Sequence, residues 1–255
     1  MKFGVCAGVV DAPAILDAGF DYIEVGATGF SGMDEHWDRS PYEGLPILAT
    51  NLFFDQRIHL FGAHKTPYLD YSMRTIERAA SLGVPVMVIG SGGPRTAPDD
   101  IDGDSAFVDV VAELSQIAQP FGIALAPESL NRTETNVGNS LRSLAIRLRA
   151  RGVGYTADSY HILFEWDAEG RKVWLDDLME DQIPFAPTHV HVANLPRTGV
   201  DAEDPMLQAF AGRLAELEYG GNVSLECSRE SGFDLAATLG ALKSLFGRPA
   251  CVSQV

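Results

Sequence analysis

Short apolar runs alternate with longer stretches of helical spacing along the whole chain. Residues 2–6 read as a strand, 12–18 as a short helix stopped by Gly19, and 21–26 as a second strand. Residues 26–44 carry no helical pattern and are expected to form a long loop over one end of the fold. Residues 45–51 form a third strand. The aromatic segment NLFFDQRIHLFGAHKT then reads as a loop walling a pocket, followed by a helix over 68–81 ended by Gly83. The run 84–90, VPVMVIG, is the most apolar strand, and the glycines, prolines and acids of SGGPRTAPDD after it exclude regular structure there. In 104–119 Phe107, Val108, Val111 and Leu114 make one apolar helical stripe. A fifth strand follows at 122–126, a helix at 139–151, a strand at 152–157 and a short helix at 174–180. The chain closes with a strand at 188–193, a helix at 204–219, a strand at 222–227 and a helix at 235–246.

Eight strands alternating with helices match the count of a single (β/α)8 TIM barrel, an α/β fold, in one domain over residues 1–255. No repeat, linker or low-complexity block interrupts the alternation. The strands of such a barrel point their C-terminal ends at one mouth, where residues distant in sequence share a site.

Four of the later strands end in chemistry. Glu128 follows the fifth, Asp158 the sixth, His191 stands near the end of the seventh and Glu226 ends the eighth. Three carboxylates brought together repel one another and would take up protons, and a divalent cation removes that conflict. Oxygen ligands with one imidazole suit Mn²⁺, Mg²⁺ or Co²⁺, and zinc accepts the same set. One divalent ion, Mn²⁺ before the others, is therefore the expected cofactor. Glu24 also ends a strand, but alone it reads as structural and is left out of the site. His189 shares a strand face with His191 and reads as a core group or a partner to a ligand. His59 and His64 lie in a loop and read as solvated.

A net charge of −16 argues against nucleic acid as partner, because phosphate backbones select basic surfaces. Cys6, Cys227 and Cys251 are odd in number and widely spaced, which argues against a disulfide framework or a thiolate zinc site. Asp11 cuts short the apolar run at the start, and no stretch approaches the ~20 apolar residues of a membrane span. A cytoplasmic location without membrane partners is the expectation.

The segments ESLNRTE (128–134), DSYH (158–161), HVANLPR (191–197) and SLE (224–226) resemble the xylose isomerase-like barrel superfamily, in particular its sugar isomerases and ketose 3-epimerases. In those epimerases a metal Glu is followed six residues on by a substrate Glu, a metal Asp three on by a substrate His, and a metal His six on by a substrate Arg. All three offsets recur. The resemblance implies Glu128, Asp158, His191 and Glu226 as metal ligands and Glu134, His161 and Arg197 as substrate contacts. It also implies Glu128 and Glu226 as catalytic base and acid, moving a proton at the carbon beside a carbonyl through a metal-stabilised enediolate. Without the family, Glu134 is equally a loop charge, His161 a helix-start cap and Arg197 a surface ion pair.

The implied partner is a small sugar or polyol-derived substrate, and barrels of this family commonly form homo-oligomers. Two departures stand out: the chain is shorter than a typical ketose 3-epimerase, and Asn194-Leu195-Pro196 replaces a more polar segment. The superfamily also holds dehydratases of inosose- or dehydroshikimate-like substrates, which form the alternative. An apurinic-endonuclease-like phosphodiesterase is disfavoured by the charge and by the lack of an Asp-x-His after His191. A metal-binding partner subunit without chemistry is disfavoured by the full set of seven residues.

Overall fold

A computed structural model of the protein describes residues 1–63, 66–168, 175–195, 197–228 and 232–247, without the side chains of 165–168 and 175–176. His64, Trp174, Pro196 and Cys251 lie outside the described residues. The strands are β1 (Lys2–Cys6), β2 (Tyr22–Gly26), β3 (Ile47–Asn51), β4 (Val86–Ile89), β5 (Ala124–Pro127), β6 (Thr156–Asp158), β7 (His189–Val192) and β8 (Asn222–Leu225). All pair in parallel, in the order β5-β4-β3-β2-β1-β8-β7-β6. β8 returns to β1 with Lys2 opposite Asn222. The remaining seam is joined by a bridge between Glu128 and Thr156, and Thr156 Oγ1 donates to Ala126 O at 2.9 Å. The sheet is a nearly closed (β/α)8 barrel.

The helices are α1 (Ala12–Asp17), α2 (Tyr68–Ser81), α3 (Gly92–Arg95), α4 (Gly103–Ala118), α5 (Leu141–Arg149), α6 (Ser159–Ala168), α7 (Leu175–Gln182), α8 (Pro205–Glu216) and α9 (Leu235–Phe246). Local chemistry sets several of the starts. Asp102, Ser140, Asp204 and Asp234 accept backbone N–H bonds as N-caps of α4, α5, α8 and α9, and Pro205 fits the first turn of α8, where a missing N–H costs nothing. No helix among the described residues is long and apolar enough to cross a membrane.

Alternation along the strands separates two environments. Ile23, Val25, Val190, Val192, Val223 and Leu225 face the helices and join the apolar core. On the opposite faces, Tyr22, Glu24, His189, His191 and Ser224 fill the barrel interior, all fully buried, so the barrel centre is polar.

Several elements depart from the sequence reading. SGGPRTAPDD contains one helical turn, α3, directly after β4. The fifth strand begins at Ala124, because Gly122 adopts φ 71° to close the turn after α4. The sixth begins at Thr156. A helix absent from the run of elements read above, α6, starts immediately after Asp158, near where the alternative reading of His161 as a helix-start cap would put one, and α7 ends at Gln182. The aromatic segment walls the pocket through Asn51 and Leu52 at its start, while its rings turn inward: Phe53 and Phe54 are fully buried, ring against ring at 4.8 Å and packed on Tyr71.

Candidate functional site

The strand ends bring Glu128, Asp158, His191 and Glu226 together, with one potential ligand atom from each within 4.8 Å of every other. His191 Nδ1 is 3.0 Å from Glu128 Oε1 and 3.3 Å from Glu226 Oε2. Asp158 completes the group from β6, its Oδ1 accepting the Tyr160 N–H at 2.8 Å.

Glu128 reaches this point past a glycine at the end of the neighbouring strand. A methyl group at Gly90, just beyond β4, would stand 2.3 Å from Glu128 Oε2, so the position admits no side chain while the carboxylate keeps its place. Behind it, the fully buried Arg95 donates Nη1 to Glu128 O at 2.8 Å and anchors the segment that leaves β5. Burial raises the Glu128 carboxyl to about 8; the His191 charge opposes the rise, and the neighbouring Glu226 and Asp158 reinforce it.

Glu24, read as structural, stands at the barrel centre and supports the site from below the four clustered residues. It is fully buried inside the barrel and accepts from both histidines of β7, Oε1 at 2.8 Å from His191 Nε2 and Oε2 at 2.8 Å from His189 Nε2. Ser224 Oγ donates to Glu24 Oε2 at 2.5 Å and lies 2.7 Å from the Tyr22 hydroxyl. Burial alone would raise the Glu24 carboxyl, but the charges and hydrogen bonds of His191 and His189 outweigh it and hold the group well below the usual carboxylate range. An ionised Glu24 keeps the proton of His191 on Nε2 and turns Nδ1 toward the three other carboxylates. Burial would lower the His191 pKa, yet Glu24, Cys6, Glu128 and Glu226 together carry it well above the ordinary value. The negative potential that would hold a proton on Nδ1 would equally hold a cation there, so the donor set fits a divalent metal ion bound by O, O, O and N.

The three residues carried over from the resemblance converge on one side of this group. Arg197 Nη2 is 3.2 Å from Asp158 Oδ2, 3.3 Å from Glu226 Oε2 and 3.2 Å from His161 Nε2. Glu134 is more exposed, with Oε1 3.9 Å from His161 Nδ1. The buried Asn131, passed over in the sequence, ties the two together: its N–H donates to His161 Nδ1 at 3.1 Å and its Nδ2 to Glu134 Oε1 at 2.9 Å. With Nδ1 accepting from Asn131 and burial lowering the pKa, the neutral His161 ring carries its proton on Nε2, which faces Asp158 Oδ2 at 3.5 Å; the nearby Arg197 nitrogen is then a second donor beside it, not its hydrogen-bond partner. Asn131 lies inside the ESLNRTE segment but falls on none of the three offsets.

A cavity of about 590 Å³ opens above the cluster, lined by Gly8, Thr28, Asn51 and Leu52 opposite Arg197 and Glu226. A larger hollow of about 1160 Å³ lies against α4 and the segments 60–63 and 98–101, and none of the seven residues lines it. His59 is exposed in its loop, away from the cluster. Cys6 and Cys227 are free thiols at the cavity wall.

A family model described as xylose isomerase-like TIM barrel matches residues 13–245. Among solved structures, a D-psicose 3-epimerase crystallised in the presence of D-fructose is 20% identical, with TM-score 0.69 over 97% of this chain and 95% of that one. A 3-keto-D-glucoside 4-epimerase from E. coli is 21% identical, with TM-score 0.73 over 97% and 100%. The IolI protein with a bound zinc atom is 19% identical, with TM-score 0.61 over 96% of each chain. Comparison with curated proteins found no match.

Proposed function

The chain belongs to the xylose isomerase-like TIM barrel family, and from that premise we propose that it is a divalent-metal-dependent isomerase or epimerase of a ketose or related polyhydroxy carbonyl compound. The observation that carries the reading is the convergence of Glu128, Asp158, His191 and Glu226 at one point, with Arg197 and His161 beside it under an open cavity. The names of the similar structures, two of them sugar epimerases, support the substrate class.

The four clustered residues would hold the ion, Mn²⁺ first among Mn²⁺, Mg²⁺, Co²⁺ and Zn²⁺. When bound, the ion supplies Lewis-acid stabilisation of the negative charge that develops on oxygen as a carbon-bound proton leaves. The chain's own groups do the rest. Glu128 and Glu226 approach His191 Nδ1 from β5 and β8, with Glu226 at the cavity wall, and one would take the proton and the other return it. His161 Nε2–H and the Arg197 guanidinium donate to substrate oxygens and fix which carbon lies between the carboxylates. Glu134, at the cavity side of His161, accepts from a substrate hydroxyl. Leu52, Thr28 and Asn51 bound the distal end of the substrate and limit its size.

The test is a turnover panel. Mn²⁺-loaded protein is incubated with ketoses, inososes and hydroxypyruvate and the products are resolved by NMR. The reading predicts interconversion of isomers, lost with EDTA and reduced by roughly 10²- to 10⁴-fold in Glu226→Gln. Formation of a dehydrated product alone would replace it with a lyase.

A further inference from the structure

Tyr160 packs against both His161 and Arg197, the latter at the cavity wall. Its N–H donates to Asp158 Oδ1 at 2.8 Å, which pins it to the first turn of α6. From there its ring meets the His161 imidazole edge-on, centroids 5.2 Å apart, and the Arg197 guanidinium carbon lies 4.0 Å from the ring centre.

Arg197 needs such a support. It arrives from the segment after β7 on a backbone with φ 67°, a conformation unfavourable for any residue with a Cβ. Its hydrogen bonds to Asp158 and Glu226 both run through a single nitrogen, Nη2, which also lies beside His161 Nε2, and its buried Nε has no hydrogen-bond partner among the described residues. One nitrogen fixes a point and leaves the plane of the guanidinium free to turn about it. The face of an aromatic ring fixes the plane, because the flat cation gains most when it lies over the π-cloud.

We propose that Tyr160 is a positioning residue that sets the plane of the Arg197 guanidinium and the tilt of His161, so that both present N–H groups to the same substrate oxygens. The substrate side of this proposal rests on the isomerase reading above; the stacking itself does not. The ring face is the operative group, and the phenol hydroxyl is dispensable. In the sequence Tyr160 lies inside DSYH, so the three-residue step from Asp158 to His161 also carries the ring that orients the arginine.

Three proteins test it: wild type, Tyr160→Phe, which keeps the face, and Tyr160→Leu, which removes it, with Tyr160→Met as substitute should the leucine variant not fold. NMR of the Arg197 side chain in the Mg²⁺-loaded proteins reads the stacking directly. The Arg197 Hδ and Hε resonances are expected upfield in wild type and Tyr160→Phe through the ring current, and at ordinary positions in Tyr160→Leu. In turnover, Tyr160→Leu is expected to raise KM about tenfold with kcat and Mn²⁺ affinity changed less than threefold, and Tyr160→Phe to restore KM. Unaltered Arg197 shifts in Tyr160→Leu overturn the proposal. So does an equal loss of metal affinity, melting temperature and kcat with no rescue by phenylalanine, which marks a packing residue. Should wild type turn over no sugar, the isomerase reading fails while the Arg197 shifts still decide the stacking.

Discussion

Replacing Glu128 by Gln should make the metal-free protein more stable at alkaline pH. The Glu128 carboxyl is enclosed by the barrel wall at 4% exposure, beside Glu226 and Asp158, and is raised from an ordinary value of 4.5 to about 8. Between those values the unfolded chain has released the proton and the folded chain retains it. The unfolded state therefore binds fewer protons, and stability falls as pH rises through that window. At 1.36 kcal/mol per pKa unit, the loss between pH 5 and pH 8 comes to about 3 kcal/mol. Glutamine has nearly the same shape and no charge, so it escapes the loss. Urea unfolding followed by circular dichroism in EDTA, at pH 5, 6, 7 and 8, gives the test. The two proteins should be nearly equal at pH 5, and Glu128→Gln should lead by about 3 kcal/mol at pH 8, or roughly 1 M in midpoint for a urea slope of about 3 kcal/mol per M. A Gln variant no more stable than wild type at pH 8, or a difference that does not change with pH, would refute the reasoning. The stabilised variant should also lose metal-dependent turnover, since sites selected for chemistry hold groups in unfavourable surroundings.

Glu24→Gln should cost about 10- to 100-fold in Mn²⁺ affinity, measured by chelator competition, because His191 loses the partner that holds its proton on Nε2. The same variant should flatten the acid limb of stability: the depressed Glu24 carboxyl contributes stability above its ordinary value of 4.5 that is lost as pH falls, and a pH titration of melting temperature reads it. Gly90→Ala places a methyl where Glu128 Oε2 passes and should cut kcat/KM on the order of 10²-fold by displacing the carboxylate, with far-UV circular dichroism unchanged. Mn²⁺ at 100 times its Kd should stabilise the protein by about 2.7 kcal/mol, a rise of roughly 5–10 °C in melting temperature that EDTA reverses.

What the sequence made legible follows from local physics. A run such as Ala124–Pro127 ending in Glu128 is apolar on both faces and stops at an acid, which marks both the strand and its functional end. The offsets from Glu128 to Glu134, from Asp158 to His161 and from His191 to Arg197 pick out residues that lie near one another in the fold, Glu134 and Asp158 on either side of His161 and Arg197 against Asp158. Glu24 was hidden for a physical reason. In Tyr22–Gly26 inward and outward residues are buried alike, so nothing in the strand pattern tells that Tyr22 and Glu24 face a polar barrel centre; only β7 and β8, not paired with it and carrying His189, His191 and Ser224, reveal it. The helix α6 was missed because Ser159 to Phe164 is apolar without a one-sided stripe, and Ile162 and Leu163 are buried alongside His161. The Asn131 backbone N–H donates to His161 Nδ1 and the Arg95 guanidinium to the backbone carbonyl of Glu128, contacts in which one side is main chain and which no side-chain motif encodes.

The most direct test of the central claim is hydrogen exchange at carbon. The protein loaded with Mn²⁺ is incubated in D₂O with ketoses, inososes and hydroxypyruvate, and the recovered compounds are read by NMR and mass spectrometry. Proton transfer between Glu128, Glu226 and substrate predicts deuterium at the carbon beside the carbonyl in at least one of them, dependent on the metal and lost in Glu226→Gln. A substrate that turns over with no deuterium at that carbon, or exchange that survives in both Glu226→Gln and Glu128→Gln, would contradict the account.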